Sequence, residues 1–151
     1  MSQSLANVLV HITFSTKERR TLLQDAGLRN EMHRWLGGIS AKLDCPALEV
    51  GGASDHVHLL GCQSRTVTLA DWVKELKRAS SLWAKTKDPR WSLFQWQVGY
   101  GAFSVSESQR ERVQRYIESQ EEHHRRLSFQ DEFRQILKKH KIEFDERYVW
   151  D

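Results

Sequence analysis

Two histidines, His56 and His58, flank a single valine in the mainly apolar stretch "SDHVHLLGC" of residues 54–62. Successive side chains in a β-strand point to opposite faces, so these two histidines would share one face. Their Cα atoms would lie roughly 6.6 Å apart, close enough for both imidazoles to bind one metal ion. The same spacing also fits a half-buried strand whose histidines form only local hydrogen bonds. This histidine pair is therefore a candidate metal site, and its spacing alone does not decide between the two interpretations.

A second unusual pair, Tyr116 and Gln120, falls in a segment with helical spacing of its apolar residues. Residues four apart lie about 6 Å apart along a helix axis and on the same face. Gln120 takes an apolar-stripe position that packing alone would give to leucine. The alternative is a tyrosine with a buried ring and a solvated hydroxyl, beside a glutamine at the border of the core.

Hydrophobic spacing predicts the elements that position both pairs. Alternation over residues 7–15 indicates a half-buried strand, with one face formed by Val8, Val10, Ile12 and Phe14 and the other by His11 and Thr13. The further predicted elements are a helix over about 25–43, a hairpin of strands 47–52 and 55–61, a helix opening at the N-cap Thr68, a strand-like segment 94–105, helices 107–127 and 129–141, and a docked extended tail 142–150. This order predicts an α+β sandwich in which helices pack on a mainly antiparallel sheet, as in the ferredoxin-like βαββαβ unit.

The composition is that of an ordinary globular chain. We expect 151 residues to form one domain, 1–151, and a net charge of +3 is compatible with a polyanionic partner without requiring one. Cys45 and Cys62 do not form a metal-type CxxC pair, and a disulfide framework is not expected. With no membrane-spanning run or signal peptide in the sequence, we predict a cytoplasmic protein without a membrane partner.

Four basic residues lie on the predicted outer face of the helix that opens at Thr68: Lys74, Lys77, Arg78 and Lys85. No acidic residue is expected to interrupt this basic stripe. It is the leading candidate for a surface that contacts a phosphate backbone. The alternative is a face that is simply solvated.

Five segments together resemble one known family over essentially the whole chain. They are "HITFSTKERR", "GGASDHVHLL", "WQVGYGAFSVSES", "YIESQEEHH" and the closing "IEFDERYVWD". A His–hydrophobic–His pair in a strand, followed some sixty residues later by "YIESQ" in a helix, is similar to the single-tyrosine HUH transposases. That family belongs to small bacterial insertion sequences of the 200/605 type.

The resemblance implies that His56 and His58 bind a divalent metal, Mg²⁺ or Mn²⁺, with Gln120 as the third protein ligand and Tyr116 as the nucleophile. It also implies an RRM-like sandwich with a C-terminal helical extension that carries the tyrosine. The expected activity is cleavage and rejoining of single-stranded DNA at insertion-sequence ends through a 5′-phosphotyrosine. Expected partners are single-stranded DNA with subterminal hairpins and a second copy of the chain, in a homodimer with shared active sites.

Two other functions stay open at this point. One is a domesticated or inactive relative that only binds DNA hairpins. The other is a zinc-dependent hydrolase that uses His56, His58 and a histidine from 123 or 124. No residue stands out in the sequence as a general base for Tyr116.

Overall fold

The two central strands, β1 (Leu9–Ser15) and β3 (His56–Cys62), divide their side chains between two faces of one sheet. They pair antiparallel, with Thr13 opposite His58. The outer strands are β2 (Ala47–Gly52) and β4 (Gly101–Val105). The computed structural model describes residues 2–151, and its sheet has the order β2-β3-β1-β4. This is the strand order of a ferredoxin-like sandwich, so the predicted fold class is confirmed.

Two helices, α1 (Ala26–Lys42) and α2 (Leu69–Lys87), cover one face of this sheet. Each begins at a capping side chain, since Asp25 accepts a hydrogen bond from Leu28 N and Thr68 accepts one from Asp71 N. Between helices and sheet lies an apolar core that includes Ile12, Phe14, Val57, Leu59, Met32, Leu36, Trp72 and Leu76. Each such side chain contributes about 1.5–3 kcal/mol by leaving water. We call this side of the sheet the apolar face.

Three C-terminal helices cover part of the opposite side: α3 (Arg110–Glu118), α4 (Gln120–His123) and α5 (Phe129–Lys139). Because this side is covered too, β1 is buried along its whole length. The prediction of a half-buried strand was therefore wrong for His11 and Thr13, which are buried. Val8 lies before β1 and is 49% exposed, so it is not a core residue.

Two glycines allow the C-terminal helices to approach the sheet closely. A Cβ atom on Gly51 would lie 2.4 Å from the carbonyl oxygen of Ile117 in α3. A Cβ atom on Gly101 would lie 2.5 Å from the ring of Phe133 in α5. A larger residue at position 51 would collide with the backbone of α3, and one at position 101 would displace the ring of Phe133 in α5.

Three predicted element boundaries were wrong. The strand-like segment 94–105 forms a regular strand only at Gly101–Val105. Before that strand, Ser15 N donates to the side-chain Oε1 of Gln97 (2.7 Å) and not to a backbone carbonyl. The predicted helix over 107–127 is a regular α-helix only from Arg110, and it is interrupted at Ser119. The hydroxyl of Ser119 donates to the backbone carbonyl of Tyr116, a contact that often bends helices.

The tail is not extended over 142–150. It forms a turn in which Asp145 O accepts hydrogen bonds from the backbone of Tyr148 and Val149. Val149 and Trp150 then pack against the aromatic cluster of Phe103 and Phe133. No helix within residues 2–151 is long and apolar enough to cross a membrane.

Candidate active site

Both members of the histidine pair lie on β3 with side chains pointing away from the apolar face, and both are fully buried. Their ring centroids are 5.1 Å apart and the rings are nearly perpendicular. The shared face that the spacing predicts is therefore present. The structure also places His11 on that face, next to His58.

One nitrogen of each ring is held by a neighbour. His56 Nδ1 lies 2.7 Å from a carboxylate oxygen of Asp55, and His58 Nδ1 lies 2.7 Å from Nε2 of His11. Burial, and then the neighbouring His58, lower the pKa of His11 to about 3, so His11 is neutral at neutral pH and its Nε2 can accept a hydrogen bond from the Nδ1–H of His58. Both Nε2 atoms are then left to face the space under α4 and α5. Partners of this kind set the tautomer of a metal-binding histidine.

Gln120 and Tyr116 come from the helices above this space. Gln120 is the first residue of α4, is buried, and places its Oε1 3.0 Å from His56 Nε2. The ring of Tyr116, on α3, lies 5.8 Å from the ring of His58, centroid to centroid. The structure thus brings together, within one chain, all four residues that the resemblance singles out.

Glu132 was not predicted as a member of the site, and His124 was named as a ligand only in the alternative of a zinc-dependent hydrolase. Glu132, on α5, is only 1% exposed and its Oε1 lies 2.9 Å from His58 Nε2 and 3.1 Å from His124 Nε2. Its Oε2 accepts hydrogen bonds from the Tyr116 hydroxyl and from Gln120 Nε2, the latter at 3.1 Å. One available signal was the position of Glu132 among the buried residues Phe129, Phe133 and Leu137 of α5, where packing alone favours an apolar side chain.

The carboxylate of Glu132 sets the electrostatics of this space. Burial acts to raise its pKa, but the imidazoles of His58 and His124 outweigh burial and hold the pKa below its usual range. The pKa of His124 is raised, because its interaction with Glu132 outweighs the opposing effect of burial. Burial, and then the charge of Glu132, raise the pKa of the Tyr116 phenol well above its ordinary value. The tyrosine is therefore a neutral hydrogen-bond donor at neutral pH.

The donor atoms fit a divalent metal ion. One nitrogen or oxygen each from His56, His58, His124 and Glu132 all lie within 4.8 Å of one another. Ligand atoms about 2.0–2.2 Å from an ion lie roughly 3–3.5 Å apart, and the distance of 3.0 Å between His56 Nε2 and Gln120 Oε1 falls in that range. Imidazole, amide and carboxylate donors suit Mn²⁺ and Zn²⁺ well.

An open cleft of about 670 Å³ adjoins Tyr116, between α3 and α5. Its lining includes His11, Gln109, Arg112, Tyr116, Lys139 and His140. Two full cations and several hydrogen-bonding groups thus surround the phenol on its open side. A chain of phosphates would find complementary charge here.

The basic stripe of α2 is not uniform. Lys77 turns back onto the protein, where its Nζ donates to the carbonyls of residues 97, 98 and 99 at 2.8, 3.0 and 2.6 Å. Arg78 pairs with Glu75, so the expectation of a stripe without acidic residues was wrong. Arg78 and Lys85 line a second cleft, of about 900 Å³, whereas Lys74 is exposed outside it. Further basic residues of that cleft are Lys17 and Arg19.

The fold and this arrangement agree with the comparison to known families. The model of the family described as "Transposase IS200 like" matches residues 4–120, which is more than half of the chain. The chain belongs to this family of transposases. The matched region includes the histidine pair, Tyr116 and Gln120, and it ends before α5.

Particular relatives refine this assignment. The ISDra2 transposase TnpA of Deinococcus radiodurans is 38% identical over 71 residues, covering 44% of this chain and 51% of that protein. The chain spans about half the length of this curated relative. A crystal structure of a protein assigned as a transposase from Deinococcus radiodurans R1 gives a TM-score of 0.61 at 27% identity, covering 80% of this chain and 98% of that one.

A second solved structure shares the fold. It is a REP-associated tyrosine transposase bound to a REP hairpin, with a TM-score of 0.55 at 13% identity, and the match covers 79% of this chain and 72% of that one. The similarity between this second structure and the present chain lies in the arrangement of strands and helices.

Proposed function

We propose that this protein cleaves and rejoins single-stranded DNA at the ends of an insertion sequence, with Tyr116 as the nucleophile. His56, His58 and Gln120 would hold a divalent ion, Mg²⁺ or Mn²⁺. The observation that carries the proposal is the position of the Tyr116 hydroxyl, which bonds the same carboxylate that faces both histidines. The family assignment and the hairpin bound by the REP-associated relative support DNA as the substrate.

The reaction follows from the chemistry of a phenol. The Tyr116 oxygen forms a bond to phosphorus, and the bond from phosphorus to the 3′ oxygen of the DNA breaks. The products are a 5′-phosphotyrosine and a 3′ hydroxyl, on which the proton of the phenol finally resides. One phosphate ester replaces another of similar energy, so a DNA 3′ hydroxyl can reverse the step without ATP.

The surroundings of Tyr116 bear on the low reactivity of its neutral phenol. A neutral phenol reacts poorly without activation, and the pKa of Tyr116 is raised further by burial and by Glu132. A bound divalent ion would polarise the scissile phosphate and offset its developing charge. Glu132 fixes the direction of the phenol hydroxyl through its Oε2, and Arg112 and Lys139 in the adjoining cleft would hold neighbouring phosphates.

Partner and assembly follow as further proposals. Arg78 and Lys85, with Lys17 and Arg19 across the second cleft, form the surface that we assign to the DNA hairpin. The homodimer with shared active sites stays a prediction. Since Tyr116 already lies beside the histidine pair of its own chain, assembling one site does not require exchange of α3 between subunits. Cytoplasmic localisation also stays a prediction.

The decisive experiment compares the protein with its Tyr116→Phe variant. Each is incubated with Mn²⁺ and a labelled single strand that contains the hairpin from DNA flanking this gene. We expect a denaturation-resistant adduct from the natural protein only, while hairpin binding stays within about threefold because the phenol hydroxyl is not a hairpin contact. Adduct formation by Tyr116→Phe would show that another residue is the nucleophile.

One alternative gains support from the structure. His124 lies with Glu132 beside the histidine pair, a donor set that also suits a zinc-dependent hydrolase. Such an enzyme would turn over in Zn²⁺, would form no covalent adduct, and would tolerate Tyr116→Phe. A chain that binds the hairpin but shows neither activity would instead be the domesticated binding protein.

A further inference from the structure

Glu132 is a buried carboxylate whose position packing does not explain. It lies on the inner side of α5, where Phe129, Phe133 and Leu137 are buried against the sheet side of the molecule. A carboxylate without compensating partners is very unfavourable at a buried position. Glu132 is compensated by residues of the candidate site, on β3 and on the segment from Tyr116 to His124.

The two oxygens of Glu132 face different groups. Oε1 is directed at imidazole nitrogens, with Nε2 of His58 at 2.9 Å, of His124 at 3.1 Å and of His56 at 3.6 Å. Oε2 bonds the Tyr116 hydroxyl and Gln120 Nε2, and it lies 3.6 Å from His123 Nε2. One carboxylate therefore joins the histidine pair to the nucleophile. Oε1 occupies the side of the space onto which the Nε2 atoms converge.

The distances match those within a coordination shell. Ligand atoms about 2.0–2.2 Å from one ion lie roughly 3–3.5 Å from each other, and the separations from Oε1 to the three imidazoles run from 2.9 to 3.6 Å. The other ring nitrogens agree with this role, because Asp55 and His11 bond the Nδ1 atoms of His56 and His58, and both Nε2 atoms face the space in which an ion would lie.

We propose that Glu132 is an anionic ligand of the same divalent ion that the histidine pair and Gln120 would hold. This inference rests on the proposed function only for the presence of that ion. A neutral ligand set of two imidazoles and an amide would bind a divalent ion weakly in the absence of DNA. One carboxylate adds a full opposite charge and a hard oxygen donor, which strengthens binding of Mn²⁺ before DNA arrives.

The test measures metal affinity and not activity. The full chain is freed of metal with EDTA, dialysed, and titrated with MnCl₂ at pH 7.5 without DNA, by calorimetry and by the EPR signal of free Mn²⁺. We expect one ion per chain, and at least about a tenfold weaker dissociation constant for Glu132→Gln, since even residues behind a ligand change affinity by about 10–100-fold. Glu132→Asp, which keeps the charge on a shorter stem, is expected to fall between the two.

Two matched variants separate coordination from other effects. Asp131→Asn removes the neighbouring carboxylate on the same helix, which is exposed and bonds Arg134, and it should leave the Mn²⁺ affinity within twofold. Tyr116→Phe removes the hydrogen-bond partner of Glu132 without removing a ligand, and it should leave the affinity within about threefold. Thermal unfolding of each metal-free variant confirms that the titrated protein is folded.

The outcomes are distinct from those of the proposed function. If Glu132→Gln binds Mn²⁺ as tightly as the natural protein or more tightly, or if the natural protein binds no Mn²⁺, Glu132 is not a ligand. A covalent DNA adduct in the natural protein together with unchanged Mn²⁺ affinity in Glu132→Gln overturns this inference alone. Weakened Mn²⁺ affinity in Glu132→Gln without any adduct in the natural protein supports Glu132 as a metal ligand and contradicts the proposed DNA cleavage by Tyr116.

Discussion

The two faces of the sheet use the same strands for opposite purposes. Ile12 and Leu59 point to the apolar face, where they pack among α1 and α2 in a core stabilised by burial. His11 and His58, their neighbours in β1 and β3, point to the other side, where every ring nitrogen that faces the site has a polar partner. Because successive side chains of a strand alternate between faces, the same strand places core residues on one face and residues of the candidate site on the other.

The two faces also differ in how they are closed. The apolar face is covered by the two helices that connect the strands, and those helices come with the fold. The histidine face is covered by α3, α4 and α5, which follow the last strand and approach closely only because Gly51 and Gly101 lack side chains. The helices added after the sandwich thus supply the remaining residues of the candidate site: Tyr116, Gln120, His124 and Glu132.

The largest effect is expected where the histidine face is broken. His58→Ala removes an imidazole that the site cannot replace, so Mn²⁺ affinity should fall by at least about 100-fold and the DNA adduct should disappear. Calorimetric titration and the adduct assay measure the two effects. Mn²⁺ affinity within threefold of the natural value would place the metal elsewhere.

The adjacent residue gives the matched control. Leu59→Ala changes the same strand on the apolar face, and it should lower the free energy of unfolding by about 2–5 kcal/mol through lost burial and a cavity. Its Mn²⁺ affinity and its adduct yield per folded molecule should stay unchanged. Urea unfolding supplies the stability, and a large loss of metal affinity in the folded variant would show that the two faces are not independent.

Sequence reasoning was accurate where local rules decide. The period of two residues placed His56 and His58 on one face, and the predicted helix starts near residue 25 and at the N-cap Thr68 match the observed starts of α1 and α2. The position of Glu132 could not be derived in this way, because it meets His58 from a helix 74 residues later in the chain. That contact depends on α5 folding back over the sheet, which no local pattern encodes.

The basic stripe is a second case in which local spacing does not determine the contacts of a side chain. Helical spacing correctly places Lys77 away from the centre of the core, but the flexible stem of lysine then bends back to the carbonyls of residues 97–99. Those carbonyls belong to the irregular segment before β4, which begins as a regular strand only at Gly101. A residue predicted to contact DNA is thus occupied by the protein itself.

A smaller effect is expected from His33, which lies on α1 and whose Nε2 has no hydrogen-bond partner among the residues of the described chain. Burial, and then the nearby Arg29, lower the pKa of His33 from 6.5 to about 4. The unfolded chain therefore binds this proton at higher pH than the folded chain does. Stability from this group is complete above pH 6.5 and is lost as the pH falls toward 4.

The measurement is urea unfolding of the metal-free protein at pH 7.5 and at pH 5.0. At the lower pH this single group should remove about 2 kcal/mol from the free energy of unfolding. His33→Leu replaces the imidazole with an apolar side chain of similar size that does not titrate. This variant should lose correspondingly less stability between the two pH values. Equal losses in the two proteins would mean that other groups produce the acid sensitivity.

The smallest effect on the fold is expected on the surface of α2. Replacing Arg78 and Lys85 with alanine should change the free energy of unfolding by less than about 0.5 kcal/mol, because both side chains are at the surface. If both contact phosphates, the slope of log K against log salt for hairpin binding should decrease by about one for each lost contact. Lys74→Ala removes a cation from the same helix but outside the cleft, so its slope should match that of the natural protein. A steeper or unchanged slope in the double variant would assign the hairpin to a different surface.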